Sequence, residues 1–199
     1  MIEHTITNDV NDINEFINTN DMRTEIEEMS SKNHSLLQGR LAGFLNYTFD
    51  DYNAATELSL DVTDSQRQQI LIKHGIKATR ELKPDVAVYY AKDFDFADPD
   101  DDNDVDPQRV TEMPVCCMEI VSPSQSSYAI LHKFRAYFEM GVKSCWFIDP
   151  NLKEIRVYTS NRNKRTFLEA SEVEDLILNI KIPLNKLFGK KQHRNSVSL

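Results

Sequence analysis

"MPVCCMEIVSPSQ", Met113 to Gln125, is the stretch on which the reading of this chain turns. Its centre, Val115 to Val121, is apolar except for Glu119, and Pro114 and Ser122-Pro123 bound it. A short apolar run between such breakers reads as a central strand covered on both faces. Burying a lone carboxylate there is costly, so Glu119 must shift its pKa, meet a cation or point into a cleft. The alternative is a half-buried strand with Glu119 facing water. The rest of the chain has to choose between them.

The chain has 199 residues, enough for one domain with a core of its own, or one domain with a tail. Its hydrophobic content of 40% and charged content of 28% are those of an ordinary globular protein, so a packed core is expected. The opening "MIEHTITNDVND" carries acids and no apolar segment, which does not fit a signal peptide, and no apolar stretch reaches membrane-spanning length. No membrane partner is expected. Cys116, Cys117 and Cys145 lie in apolar runs without CxxC spacing. Neighbours on a strand face opposite ways, so these read as small buried hydrophobes in a reduced, cytoplasmic setting.

The net charge of -9 argues at first against nucleic acid. Much of it comes from one segment, "DFDFADPDDDNDVD" (Asp93 to Asp106), with eight Asp and no base. Without those eight, 24 of the 32 acids remain against 23 Lys and Arg, so the body is near neutral. Such a run reads as a solvated loop. A calcium loop fails as the rival, because every register lacks the glycine at the sixth position, and the register from Asp100 puts Thr111 where a bidentate Glu belongs.

Along the chain, "NDINEFINTN" places Ile13, Phe16 and Ile17 at helical spacing. "SSKNHSLLQGRLAGFLNYT" is a stronger helix, with Leu37, Leu41, Phe44 and Leu45 in one stripe and Ser30, Ser31 or Asn33 as its cap. His34 falls on that apolar face, where a packed, hydrogen-bonded role is commoner than a catalytic one. "ELSLDV" (Glu57 to Val62) and "DVAVYY" (Asp85 to Tyr90) read as strands. In "SSYAILHKFRAYFEMG", Ile130, Phe134, Tyr137 and Phe138 form a helical stripe that Gly141 can end. "SCWFIDP" and "EIRVYTS" read as a hairpin across "NLK", and "RTFLEA" as a further strand. The order predicts a mixed sheet flanked by helices.

Three charged residues break the apolar pattern where strands begin, end or meet a helix. Asp85 opens a strand after Pro84, Glu119 lies near a strand end, and Lys133 flanks the buried stripe between Ile130 and Tyr137. If the two strands pair antiparallel across the acidic loop, Asp85 and Glu119 reach the same end of the sheet. Two carboxylates held together repel unless a cation lies between them. A hard divalent ion on these oxygens, a strand carbonyl and waters would answer the question Glu119 poses, with Lys133 as a fixed charge beside it.

"KPDVAVY", "MEIVSPSQ", Lys133 and "YFEMGVKSCWFIDP" together resemble the Uma-two family, restriction-endonuclease-like proteins of the PD-(D/E)xK nuclease superfamily. The resemblance runs from about Glu27 to Phe188, and the linked pattern PD…EIxSP…K…Y…G…W…D is far more specific than any piece of it. It implies an α/β fold of the α+β type, a twisted mixed sheet flanked by helices, and with no linker long enough to split the chain the expectation is one domain spanning 1–199. The acidic loop would occupy about 91–112 and a frayed tail would begin at about 189. It also implies a lysine that has moved from a strand to the following helix, where Lys133 stands. His34 matches a histidine often seen at the start of the family's first long helix and, with Ser122, is counted as accessory.

The expected activity is metal-dependent hydrolysis of phosphodiester bonds in DNA. Asp85, Glu119 and the Ile120 carbonyl would hold Mg²⁺ or Mn²⁺, and Lys133 would orient the attacking water. "NRNKR" (Asn161 to Arg165) and "GKKQHR" (Gly189 to Arg194) are candidate phosphate-contacting clusters. A homodimer is the expectation by analogy with restriction-like folds. Many relatives carry an Asp four or five residues before the helix lysine, where this chain has Tyr128 and Ala129. A non-catalytic scaffold or nucleic-acid-binding module on the same fold therefore stays open, as does a phosphoesterase for small substrates.

Overall fold

The structure is a computed structural model that describes residues 31–98, 100–101, 106–122, 126–168 and 170–189. The expected opening helix around Ile13 lies outside them, as does most of the second basic cluster. Helix α1 (Lys32–Thr48) is followed by β1 (Tyr52–Thr56), β2 (Leu60–Asp61), α2 (Ser65–Lys73), β3 (Glu81–Leu82) and β4 (Val86–Tyr90). Then come β5 (Cys116–Ile120), α3 (Ser127–Glu139), β6 (Ser144–Asp149), β7 (Glu154–Tyr158), β8 (Lys164–Leu168), β9 (Glu172–Asp175), β10 (Ile180–Pro183) and the short α4 (Leu184–Phe188).

Six strands form the central sheet in the order β1-β4-β5-β6-β7-β8. All neighbours are antiparallel except β5 and β6, which are parallel and joined through α3 as a crossover unit. The mixed sheet read from the sequence is present, and the pair β2–β3 and the hairpin β9–β10 pack beside it.

Side chains alternate across each strand, so the sheet carries two cores. Val86, Val88, Cys116, Met118, Ile120, Trp146 and Ile148 face α1, α4 and β9–β10. Ala87, Tyr89, Cys117, Cys145 and Phe147 face α2 and α3, whose Ile70, Leu71, Ile130, Phe134 and Tyr137 cover them. All three cysteines are free and buried, with Cys116 and Cys117 on opposite faces, as alternation requires.

Local signals explain the helix boundaries. The Ser31 hydroxyl accepts from the His34 N–H at 3.3 Å and caps α1, a contact worth about 1 kcal/mol. Helix α3 starts at Ser126, which accepts from the Tyr128 N–H, and ends at Gly141, whose φ of 106° turns the chain back into β6.

The structure corrects the strand read in "ELSLDV". Only Leu60 and Asp61 pair there, because Glu57 has φ 51° and turns the chain out of register. Residues not read as strands, Tyr52–Thr56, form β1 by pairing with the open side of β4. The acidic segment is less featureless than expected at its start. A 3-10 turn spans Ala91–Asp93, the Phe94 ring stacks on Tyr89 at 4.0 Å, and Asn53 Nδ2 donates to the Phe94 carbonyl.

Candidate active site

The β4–β5 register sets the site. Val86 lies opposite Met118, so one further step brings Asp85 level with Glu119. By the same alternation, both carboxylates share the sheet face of Ala87 and Cys117, the one covered by α3. The Asp85 Oδ2 accepts the Ile120 N–H at 2.5 Å and so takes over the strand hydrogen bond that β4 can no longer supply. The antiparallel pairing expected from the sequence is what brings the two acids together.

Glu119 is buried, with 1% of its surface exposed, so the half-exposed alternative is wrong. Both of its oxygens are bonded by α3. Lys133 Nζ lies 3.1 Å from Oε2, and the Tyr137 hydroxyl donates to Oε1 at 2.9 Å. Lys133 and Tyr137 are four residues apart, one helical turn, and therefore reach the strand side by side. Burial pushes the Glu119 carboxyl above its ordinary range, the Lys133 ammonium pulls it back, and the Asp85 charge pushes it up again. Burial and the neighbouring Glu119 hold the Tyr137 phenol well above its usual value, so it stays a donor.

Helix α1 holds Asp85 from the other side. His34 Nε2 lies 3.1 Å from Asp85 Oδ1, and Gln38, one turn on, donates through Nε2 to the Asp85 carbonyl at 2.9 Å. The hydrogen bond to Asp85 raises the His34 pKa above its ordinary value, against the opposing effect of burial. His34 Nδ1 is buried with no partner among the described residues. Ser122 is buried two residues beyond Ile120.

Asp85, Glu119, Lys133 and His34 thus converge. The basic cluster at Asn161 to Arg165 does not join them. There Lys164 lies over the Tyr158 ring and Arg165 pairs with Glu174. Tyr137 and Gln38 were not read as site residues. Tyr137 reads as part of an apolar stripe, yet a buried phenol needs a partner, and its i+4 spacing from Lys133 is a usable signal. Gln38, a polar residue one turn after His34 on a mostly apolar helix, carried a similar one.

The Uma2 family, described as "Putative restriction endonuclease", matches residues 19–185. The chain belongs to the Uma2 family. A structural neighbour is a crystal structure titled as a putative nuclease belonging to DUF820 from Anabaena variabilis ATCC 29413. It aligns with a TM-score of 0.61 at 20% identity, covering 80% of this chain and 82% of that one, which shows a shared fold. No curated protein matches.

Within this Uma2 chain, the recognised pattern divides by position. Asp85, Glu119, Lys133 and Tyr137 meet at the end of β4 and β5. Gly141 ends α3, Trp146 Nε1 donates to Asp175, and Asp149 Oδ1 accepts from the N–H groups of Asn151 and Leu152 to close the β6–β7 turn. The last three are scaffold residues. Among the described residues no group of three or more His, Cys, Asp or Glu is arranged to hold a metal, and no helix is long and apolar enough to cross a membrane.

Proposed function

We propose that this protein is a divalent-metal-dependent endonuclease that hydrolyses phosphodiester bonds in DNA. The observation that carries the proposal is the pairing of Asp85 and Glu119 at one strand end with Lys133 3.1 Å from Glu119. The donor set suits Mg²⁺ or Mn²⁺ in its hard carboxylate oxygens on neighbouring strands, beside an ammonium, a phenol and the His34 imidazole. Ile120 turns its N–H toward Asp85, and the N–H and carbonyl of one strand residue point to the same side. The Ile120 carbonyl is therefore on the side where a third ligand is needed. When bound, the ion would polarise the phosphate and lower the pKa of a water.

The roles of the chain's own groups follow from their contacts. Asp85 is positioned by His34 and Gln38, and Glu119 by Tyr137, so both carboxylates are held in place at the strand end. Lys133 carries three donors. It can steady Glu119 with one while another meets a phosphate oxygen or orients the attacking water, stabilising charge as it grows in the transition state. Its side chain is 26% exposed against 2% for Glu119, so the site opens to solvent through the lysine.

The test is Mn²⁺ titration calorimetry together with nicking of supercoiled DNA. Asp85→Asn and Glu119→Gln should lose both metal binding and nicking. Lys133→Ala should keep the metal and lose about 10²- to 10³-fold in rate. Purified protein that binds no divalent ion and nicks nothing would favour the second reading, a catalytically degenerate nuclease fold used as a scaffold or nucleic-acid-binding module. That reading is favoured by Tyr128 and Ala129 standing where many relatives have Asp. Ala129→Asp is the companion variant, and a gain in rate would mark a weakened nuclease.

A further inference from the structure

A cleft of about 620 Å³ opens beside Lys133, between the turn after α2 and the first turns of α3. This is the size of a small-ligand site. Its walls are Ile72, Ile76, Tyr128 and His132, with Lys77 and Lys133 among its charged residues and no carboxylate in its lining. The Tyr128 ring lies over His132 with centroids 4.2 Å apart, and the tyrosine is 69% exposed. His132 is itself fixed, since Nδ1 donates to the His74 carbonyl at 2.7 Å and Nε2 accepts from Arg135 at 3.5 Å. Ile72, from α2, is 74% exposed. Lys73 is taken by Glu139, whereas exposed Lys77 has no ion-pair partner among the described residues.

An aromatic face propped from behind but left open in front, with an apolar wall and a cation nearby, suits a flat π-system carrying a phosphate. A base inside a duplex cannot offer its face to such a cleft, whereas an unpaired one can. We infer that the cleft is a subsite for an unpaired nucleobase stacked on Tyr128, with its backbone phosphate met by Lys77, so that the protein prefers single-stranded or frayed nucleic acid to intact duplex. The inference rests on the nuclease reading for the part played by Lys133, which would place the scissile phosphate next to this base.

The experiment is fluorescence anisotropy of the full chain in EDTA, where nothing is cleaved. A labelled single-stranded oligonucleotide is compared with the blunt duplex of the same sequence. The single strand should bind more tightly. Tyr128→Ala should weaken it roughly tenfold or more while duplex binding holds, since one stacked base contributes about that much. Tyr128→Phe should retain the affinity. Equal affinity for strand and duplex, or no effect of Tyr128→Ala, would overturn the subsite. So would a mononucleotide that competes at the same concentration as the strand, because a small nucleotide would then be the occupant. Strand binding that depends on Tyr128 without any Mn²⁺-dependent cleavage leaves the subsite standing and removes the nuclease. Duplex cleavage with strand affinity indifferent to Tyr128→Ala does the reverse.

Discussion

Glu119 and Asp175 are both buried carboxylates against the same central sheet, on opposite faces, and their hydrogen-bond partners differ in kind. Asp175 is surrounded by neutral donors. Ser144 Oγ and Trp146 Nε1 reach Oδ2 at 2.5 and 2.7 Å, and the N–H groups of Ile177 and Leu178 reach Oδ1 at 2.8 and 3.2 Å. Glu119 has two donors, one of them the ammonium of a partly exposed lysine, and a second carboxylate for a neighbour. The first is a closed bracket that ties the β9–β10 hairpin to β6. The second is held at a position where charge is uncomfortable, next to an opening, which is how acids in functional sites are kept.

This contrast can be broken by mutation, and the largest effect should be structural. Asp175→Ala leaves the Trp146 and Ser144 donors buried without acceptors, at about 1–3 kcal/mol each, so a loss of about 3–5 kcal/mol in urea unfolding is expected. A loss below about 1 kcal/mol would mean the hairpin is not held through this residue.

Lys133→Met comes next. It removes the cation that offsets burial of Glu119 and drives that carboxyl further up, so the protein should lose about 2 kcal/mol at neutral pH and recover much of it in acid, where Glu119 is protonated. Glu119→Gln sharpens the comparison from the other side. Removing a charge that burial disfavours should leave stability within about 1 kcal/mol, in contrast to Asp175, while abolishing the proposed metal binding.

A smaller effect concerns His34. Its pKa is raised in the folded protein by Asp85, so between pH 6.5 and the folded pKa the folded state keeps a proton that the unfolded state has lost. The stability this provides is fully present below pH 6.5 and fades as pH rises through the folded pKa. In EDTA, the urea midpoint of His34→Gln should lack that part of the pH slope. The smallest effect belongs to the acidic segment. Replacing residues 95–106 with a short neutral linker while keeping Phe94 should shift the melting temperature by no more than about 2 °C, because loop closure depends weakly on length. A larger fall would show that the segment packs on the body of the protein.

The sequence alone carried those parts of the fold whose signals are periodic and local. The stripe of α1 and its Ser31 cap, the stripe of α3 and its Gly141 stop, and the apolar runs of β5, β6 and β7 could all be read because burial there repeats at 3.6 or 2 residues. Asp85, Glu119 and Lys133 stood out for the same reason, as charges interrupting a regular pattern. Elements made by their surroundings could not be read this way. β1 is "YNAAT", with little strand propensity, and exists because β4 offers an unpaired side and Asn46 bonds both the N–H and the carbonyl of Ala54. Helix α2 buries only Ile70 and Leu71, so its stripe is too thin to see, although Asp64 caps it. In β9 the inward residue after Val173 is an aspartate, which hides the alternation until Ser144 and Trp146 supply the donors that permit it. The site divides in the same way. Its residue types were visible in the chain, but the contacts of Tyr137 with Glu119 and of Gln38 with Asp85 arise from packing between distant segments, and only tertiary structure decides which buried polar groups meet.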